Sequence, residues 1–257
     1  MVLAPPGAVE RAAVLAHALR ALKAGGRLTA LAPKDKGGQR LRKTLEGFGC
    51  AVNETARRHH RFCTATRPVE LQGLEAAIAA GAPQVARGLG LWSQPGVFSW
   101  DRLDPGSAML MESLPALSGR GADFGCGAGV LARQVLTAPA VSVLTLIDID
   151  RRAIDGARRN VDDPRARFLW ADVRQPESSS GELDFVVMNP PFHDGGAEDR
   201  GLGLAFIAAA VRSLCKGGVL WMVANRGLPY EAALTAAFAR VEKRAEAGGF
   251  KVYRAQR

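Results

Sequence analysis

From residue 119 to the C-terminus, short β-branched runs and helical stretches take turns, and that alternation leaves the chain very few folds. The runs are GRGADFGCG, VSVLTLIDID, ARFLWADV, ELDFVVMNPPF and GVLWMVAN, separated by stretches such as ARRNV and LAFIAAAVRSL. A βαβα succession builds a mostly parallel sheet covered by helices. The last segment, VEKRAEAGGFKVYRAQ, reads as two antiparallel strands around Gly248 and Gly249 that pair at the sheet edge. Ligands of such sheets gather where strands end at their carboxyl edge, so the residues that follow each run are the ones to read for chemistry.

The first part of the chain is different. It has one strong strand, GGRLTALAP, with helical flanks, a basic stretch, KDKGGQRLRK, and no glycine-rich strand-to-helix turn. Even so, ALKAGGRLTALAP resembles SLCKGGVLWMVAN, with Gly25 aligned to Gly217, and each is followed by a helix and a closing strand pair. One reading is a duplication; the other is that any two units of helix, Gly-Gly, strand and helix look alike. The duplication predicts a smaller, truncated α/β domain over residues 1–90 that lacks its ligand-binding front half, then a larger α/β domain over residues 91–257. The Gly- and Pro-containing stretch 87–100 reads as their linker.

With 257 residues, 47% of them apolar, the chain can bury one large core or two smaller ones, and nothing suggests wholesale disorder. Its longest apolar stretch, VLARQVLTAPAVSVLTLIDID, is broken by Arg, Gln, Pro and Asp before it reaches the roughly 18 to 20 residues of a membrane span. The N-terminus has no basic start and carries Glu10 and Arg11 early, unlike a secretory signal, so a soluble cytoplasmic protein is expected. Four scattered cysteines, Cys50, Cys63, Cys126 and Cys215, form no CxxC pair; reduced and mostly buried thiols are expected, without a metal site. The formal net charge of +9 suits a polyanionic partner such as nucleic acid, or else a merely basic surface.

Two stretches carry chemistry. In ADFGCGAGV a strand runs through Gly125, Gly127 and Gly129 into a helix, a turn that lets the backbone approach a ligand. A dinucleotide site would place its third glycine at position 130, which is Val130, so GxGxxG fails while GxGxG holds. Asp148 ends the next strand, where a carboxylate can accept both hydroxyls of a ribose. Together they predict a nucleoside-containing cofactor without an obligatory phosphate grip. In DFVVMNPPF the Asn189 side-chain oxygen and the Pro190 carbonyl can accept the two N–H bonds of a planar exocyclic amine. The prolines preset the loop, and Phe192 can stack on an extruded base. A proline-rich strand stop with a buried Phe is the plainer alternative.

Taken together, DFGCGAG, LIDID and NPPF resemble the class I S-adenosylmethionine-dependent methyltransferases, a Rossmann-like seven-stranded α/β fold. NPPF marks the subgroup that methylates planar exocyclic amino groups. The resemblance implies S-adenosyl-L-methionine as cofactor, with Asp123 and the glycine loop beside its methionine part, Asp148 on its ribose, Asp172 by its adenine and Asn189 also among the cofactor-binding residues. For Asp172 a purely local loop carboxylate is the alternative. GVFSWDRLDPGSAMLM, DFGCGAGVLA, NPPFHDG, VAN followed by LPY, and FKVYRA are further similar to the ribosomal RNA small subunit methyltransferase C family. Members of that family have two tandem methyltransferase-like domains, the first without a cofactor motif and serving RNA binding; the first domain of this chain is shorter.

This closer resemblance implies methylation of a guanine N2 amine in 16S rRNA, free or in the 30S subunit, by a monomer without metal or membrane. It also implies that Leu103 to Ser107 line the cofactor pocket and that Tyr253 and Arg254 lie on a closing strand. A 23S rRNA guanine-N2 or adenine-N6 methyltransferase, a protein glutamine-N5 methyltransferase and an inactive RNA-binding protein are the other readings. His193 and Asp194 are expected to be local hydrogen-bonders, with proton loss going to water. Lys34, Lys36, Arg40, Arg42, Arg57, Arg58 and Arg61 are expected to carry part of the RNA affinity.

Overall fold

A computed structural model describes residues 1–175, 182–191, 193–194, 197–198 and 200–257. The chain forms two compact units, one of residues 1–84 and 94–96, the other of residues 85–93 and 97–257.

The first unit contains β1 (Val2–Leu3), α1 (Ala8–Arg20), β2 (Arg27–Pro33), α2 (Gln39–Gly47), β3 (Ala51–Arg57), β4 (His60–Thr66) and α3 (Leu74–Ala80). Its sheet runs β1-β2-β4-β3. β1 is parallel to β2, and the remaining neighbours are antiparallel. Leu15, Ala16 and Leu19 fall on one face of α1 and pack with Leu41 and Leu45 of α2 over Ala30 and Cys63 of the sheet. Cys50 and Cys126 are buried as well.

β5 (Gln84–Ala86) and β6 (Leu91–Ser93) pair as a short ribbon. Residues 87–100, read above as a linker, thus contain a strand. Trp92 donates its backbone N–H to Asn160 Oδ1 at 2.8 Å and accepts from Asn160 Nδ2 at 2.8 Å, so β6 is built into the second unit.

That unit continues with α4 (Pro105–Ser113), β7 (Gly119–Phe124), α5 (Val130–Val135), β8 (Val141–Asp148), α6 (Arg151–Asn160), β9 (Ala166–Trp170) and β10 (Leu183–Met188). A small hairpin of β11 (His193–Asp194) and β12 (Ala197–Glu198) follows, then α7 (Arg200–Ser213), β13 (Leu214–Asn225), α8 (Glu231–Ala237), β14 (Arg240–Ala247) and β15 (Phe250–Gln256). The large sheet has seven strands in the order β14-β15-β13-β10-β7-β8-β9. β15 is antiparallel to both β13 and β14, and places Tyr253 and Arg254 on the strand beside β13. The α/β fold with its seven-stranded, mostly parallel sheet is the one expected.

The period-2 alternation of the strands divides the core into two layers. Val186 and Met188 of β10 and Leu220 and Met222 of β13 face Phe206, Ile207 and Tyr230. Phe185 and Val187 of β10 and Trp221 and Val223 of β13 face the other way, toward Leu110, Leu131 and Ile154. With helices covering both faces, the carboxyl ends of β7, β8, β9 and β10 are left to line a cleft.

The first unit repeats the strand order of the back half of the second. In sheet order β1, β2, β4 and β3 correspond to β10, β13, β15 and β14, with the same parallel and antiparallel neighbours. In both copies the closing hairpin turns through two residues, Arg58 and His59 in one and Gly248 and Gly249 in the other, all at positive φ.

Candidate active site

β7 ends at Phe124, and the chain then turns through Gly125, Gly127 and Gly129 at φ of 72°, 52° and 85°. That region costs an ordinary residue about 1–2 kcal/mol, so the turn itself asks for glycine. Gly125 and Gly127 line a cleft of about 350 Å³ together with Asp148, Asp172, Asn189 and Pro190. Six residues singled out by their motifs, scattered over more than sixty positions of sequence, therefore meet at one place. Gly129 does not line it: a side chain there would put Cβ 3.0 Å from Val161 Cγ2, so its role is close packing.

Asp148, the last residue of β8, is held from two sides. Its Oδ2 accepts the Gly127 N–H at 2.9 Å and its Oδ1 the Asp150 N–H at 2.8 Å. Burial raises its pKa against the lowering effect of those amide bonds. Asp123 is fully buried behind the turn and is not part of the cleft wall. Neither of its carboxylate oxygens has a partner of full hydrogen-bond geometry, the backbone of Ala132 exerting only a weak lowering effect on its pKa. Burial, and then the neighbouring charge of Asp148, push its pKa up to about 8. A buried carboxyl without a partner is costly unless it is neutral or meets a cation.

Asp172 combines both expectations for it. It lies on the cleft wall, and it also holds Arg174 locally, accepting Nε at 2.8 Å and Nη2 at 2.6 Å. That hydrogen-bonded guanidinium lowers its pKa.

Asn189 follows the last residue of β10, where the hydrophobic strand gives way to two prolines. Its Nδ2 donates to Asp104 Oδ2 at 2.8 Å and to Ser107 Oγ at 2.9 Å. Asp104 is at the same time the N-cap of α4, accepting the Ser107 N–H at 2.8 Å, with Pro105 opening the helix. A smaller recess beside the main cleft is lined by Leu103, Asp104, Ser107, Gly125, Gly127 and Asn189. The stretch Leu103 to Ser107 thus reaches the site, but two of its side chains face Asn189. Phe192 lies outside the described residues, and His193 and Asp194 are described by backbone pairing alone.

Some of the lining was not anticipated as such. Phe98 borders both the cleft and the recess and is 55% exposed. Ile149 stands on the rim, where its carbonyl accepts the Trp170 indole N–H at 2.9 Å. Nothing in the local pattern distinguished these; an aromatic or aliphatic residue in a loop reads as core until the chain is folded.

Comparison with known proteins places this geometry. The model of the methyltransferase small domain family matches residues 88–254. A ribosomal RNA small subunit methyltransferase C of Pseudomonas entomophila is 36% identical over 98% of this chain and 77% of its own length. One from Klebsiella pneumoniae is 42% identical over 62% of this chain and 47% of its own length. Among solved structures, a T. thermophilus 16S rRNA N2 methyltransferase in complex with AdoMet and guanosine superposes with a TM-score of 0.81 at 28% identity, over 100% of this chain and 72% of the other. The chain belongs to the methyltransferase small domain family and, within it, to the ribosomal RNA small subunit methyltransferase C family.

Proposed function

We propose that this protein transfers a methyl group from S-adenosyl-L-methionine to the exocyclic N2 amine of a guanine in 16S rRNA. The observation that carries the reading is the placement of Asn189 and Pro190 on the wall of the cleft formed by Gly125, Gly127 and Asp148. Relatives bearing the small subunit methyltransferase C name, and the T. thermophilus structure with AdoMet and guanosine, support both cofactor and substrate.

The cleft suits this cofactor by the chemistry of its donor set. Asp148 stands at a strand end where it can take a ribose diol, Asp172 is on the wall beyond it for the adenine, and the glycine turn brings bare backbone close. Asp123, buried behind the glycine turn with a raised pKa, would take on its negative charge only against a cation such as the methionyl ammonium of a bound cofactor. When bound, the cofactor supplies an electrophilic methyl on a sulfonium sulfur, a displacement that depends on alignment and needs no covalent enzyme intermediate.

The remaining work falls to Asn189, Pro190 and Phe192. An aryl amine is a poor nucleophile because its lone pair is delocalised into the ring. The Asn189 oxygen and the Pro190 carbonyl accept its two N–H bonds, hold the nitrogen toward the methyl and stabilise the positive charge it gains. Phe192 stacks on the base. As the new C–N bond forms the C–S bond breaks, and the amine gives up a proton to water.

The first unit supplies part of the RNA affinity. Of its seven basic candidates, Arg42 pairs with Glu46 and Arg61 with Glu54. Lys34, Lys36, Arg40, Arg57 and Arg58 have no ion pair among the described residues and are the better phosphate contacts. Binding that weakens steeply with salt is expected, and salt-independent binding would contradict it. No described helix is long and apolar enough to cross a membrane, and a cytoplasmic monomer completes the reading. Nucleoside mass mapping of 16S rRNA from a strain lacking the protein tests it: one N2-methylguanosine should be missing.

A further inference from the structure

We propose that Asp104, assisted by Ser107, is a positioning residue that fixes which way the Asn189 amide faces and charges its oxygen for the transfer step; this rests on the reading of Asn189 as the acceptor of the guanine amine. An asparagine amide can sit either way round, and only one way is useful, because a flipped amide would present N–H donors to an amine that is itself a donor. Both Nδ2 hydrogens of Asn189 are taken by side chains 85 and 82 residues away in sequence, Asp104 at 2.8 Å and Ser107 at 2.9 Å. Turning the amide over would set its oxygen against the Asp104 carboxylate, two acceptors in contact. Pro190 and Pro191, lacking N–H, offer no competing donor to that carboxylate.

The charge adds to the geometry. A carboxylate accepting from an amide N–H polarises the amide, leaving its oxygen more negative and a stronger acceptor. Nitrogen gains positive charge as its bond to the methyl carbon forms, so a fixed negative group one side chain behind the acceptor favours the transition state over the ground state. Asp104 is itself held in place. Its Oδ2 also takes the Ser107 N–H, and the helix start leaves it room because position 106 is glycine. A Cβ on Gly106 would lie 3.0 Å from Asp104 Oδ2 and 2.9 Å from the Phe250 ring. DPGS is thus read as cap, helix opener, clearance and second acceptor for one asparagine, as well as wall of the recess.

Capping alone would also give Asp104 a reason to exist, and two substitutions separate the roles. Asp104→Ser keeps a capping oxygen for the Ser107 N–H but is too short to reach Asn189; Asp104→Asn keeps both reach and cap but removes the charge. With full-length protein, S-adenosyl-L-methionine and 16S rRNA substrate, Asp104→Ser should lower kcat about 100-fold and Asp104→Asn about 10-fold. In both, cofactor Kd by calorimetry, RNA KM and Tm should stay near the parent values. Asn189→Ala is measured alongside. If Asn189→Ala loses turnover while Asp104→Ser keeps kcat within about twofold, the positioning role is overturned and the Asn189 reading stands. A loss in Asp104→Ser that appears as weaker cofactor binding or a lowered Tm, with kcat at saturation intact, overturns it equally. Full turnover in Asn189→Ala overturns the reading of Asn189 and this inference with it.

Discussion

The first unit and the back half of the second share one sheet topology, and they differ most where one strand ends. In the second unit the strand runs Val187, Met188, then Asn189, Pro190, Pro191; in the first it runs Val2, Leu3, then Ala4, Pro5, Pro6. Both strands hold the same place, parallel to the neighbour that leads into the closing hairpin. At the catalytic end the prolines open onto a cleft. At the other end the Pro5 and Pro6 carbonyls accept Nη1 of Arg11, at 3.2 and 2.7 Å, from a side chain only 2% exposed.

The difference teaches what each part of the motif is for. Two prolines presenting carbonyls are a scaffold property, kept in both copies, and in both those carbonyls suit planar N–H donors. The asparagine is the part that lines the cleft of the second unit; in the first unit Ala4 stands in its place and is 3% exposed. Arg11 donates to both proline carbonyls there. Its pKa is lowered by burial and next by Arg40, the mark of a cation accepted for the hydrogen bonds it donates. The first unit reads as a back-half copy closed by its own side chain.

The comparison breaks most sharply at Asn189. Asn189→Ala should reduce kcat about 1,000-fold while cofactor affinity by calorimetry changes less than about twofold, since the Asp148 side of the cleft is untouched. Matching loss of cofactor binding would mean that the residue belongs to the cofactor site instead. Next in size is Arg11→Met, which removes the guanidinium and with it both hydrogen bonds to the proline carbonyls. Urea unfolding should show the first unit weakened by about 2–4 kcal/mol, with cofactor affinity unchanged; a neutral result would refute the closing role.

Asp123 supplies a pH signature that belongs to the second unit alone. Its folded pKa of about 8 lies above the ordinary carboxyl value of 3.8. The folded state therefore holds its proton where the unfolded chain has lost it. The stability this contributes is full below the unfolded value and is lost as pH rises toward 8, levelling above. Melting of the cofactor-free protein should fall over that window, and Asp123→Asn should flatten the fall; an unchanged slope would show that Asp123 is not its source.

The smallest expected effect is in the hairpins. Arg58 and His59 occupy left-handed conformations, φ 48° and 60°, that Gly248 and Gly249 adopt without cost at 56° and 85°. Arg58→Gly should stabilise the first unit by about 1 kcal/mol in the same unfolding assay, and should cost RNA affinity if the tip binds phosphate.

Much of this was legible in the sequence. The alternation of strands and helices and the antiparallel closing pair around Gly248 emerge because the apolar period and the glycine turn are local properties. So do Gly125, Gly127, Asp148, Asp172 and Asn189, each placed at the end of a strand. What stayed hidden depends on distance or on absence. The bond from Asn189 to Asp104 joins positions 85 apart and leaves no trace in spacing. The N-terminal stretch carries Ala4 and Gly7 where the second unit has Asn189 and Phe192, leaving only Pro5 and Pro6 to recognise. Residues 87–100 read as a linker by their Gly and Pro content, yet Trp92 is fixed by Asn160 and Phe98 borders the cleft, contacts that composition cannot express.

The central claim is that the two prolines and one asparagine at the end of β10 present a guanine amine for methylation. Nucleoside mass mapping of 16S rRNA, in a strain lacking this protein and complemented with either the parent chain or Asn189→Ala, tests it most directly. The account predicts one N2-methylguanosine absent from the deletion, restored by the parent and still absent with Asn189→Ala. An unchanged set of N2-methylguanosines in the deletion strain, or full restoration by Asn189→Ala, would contradict it.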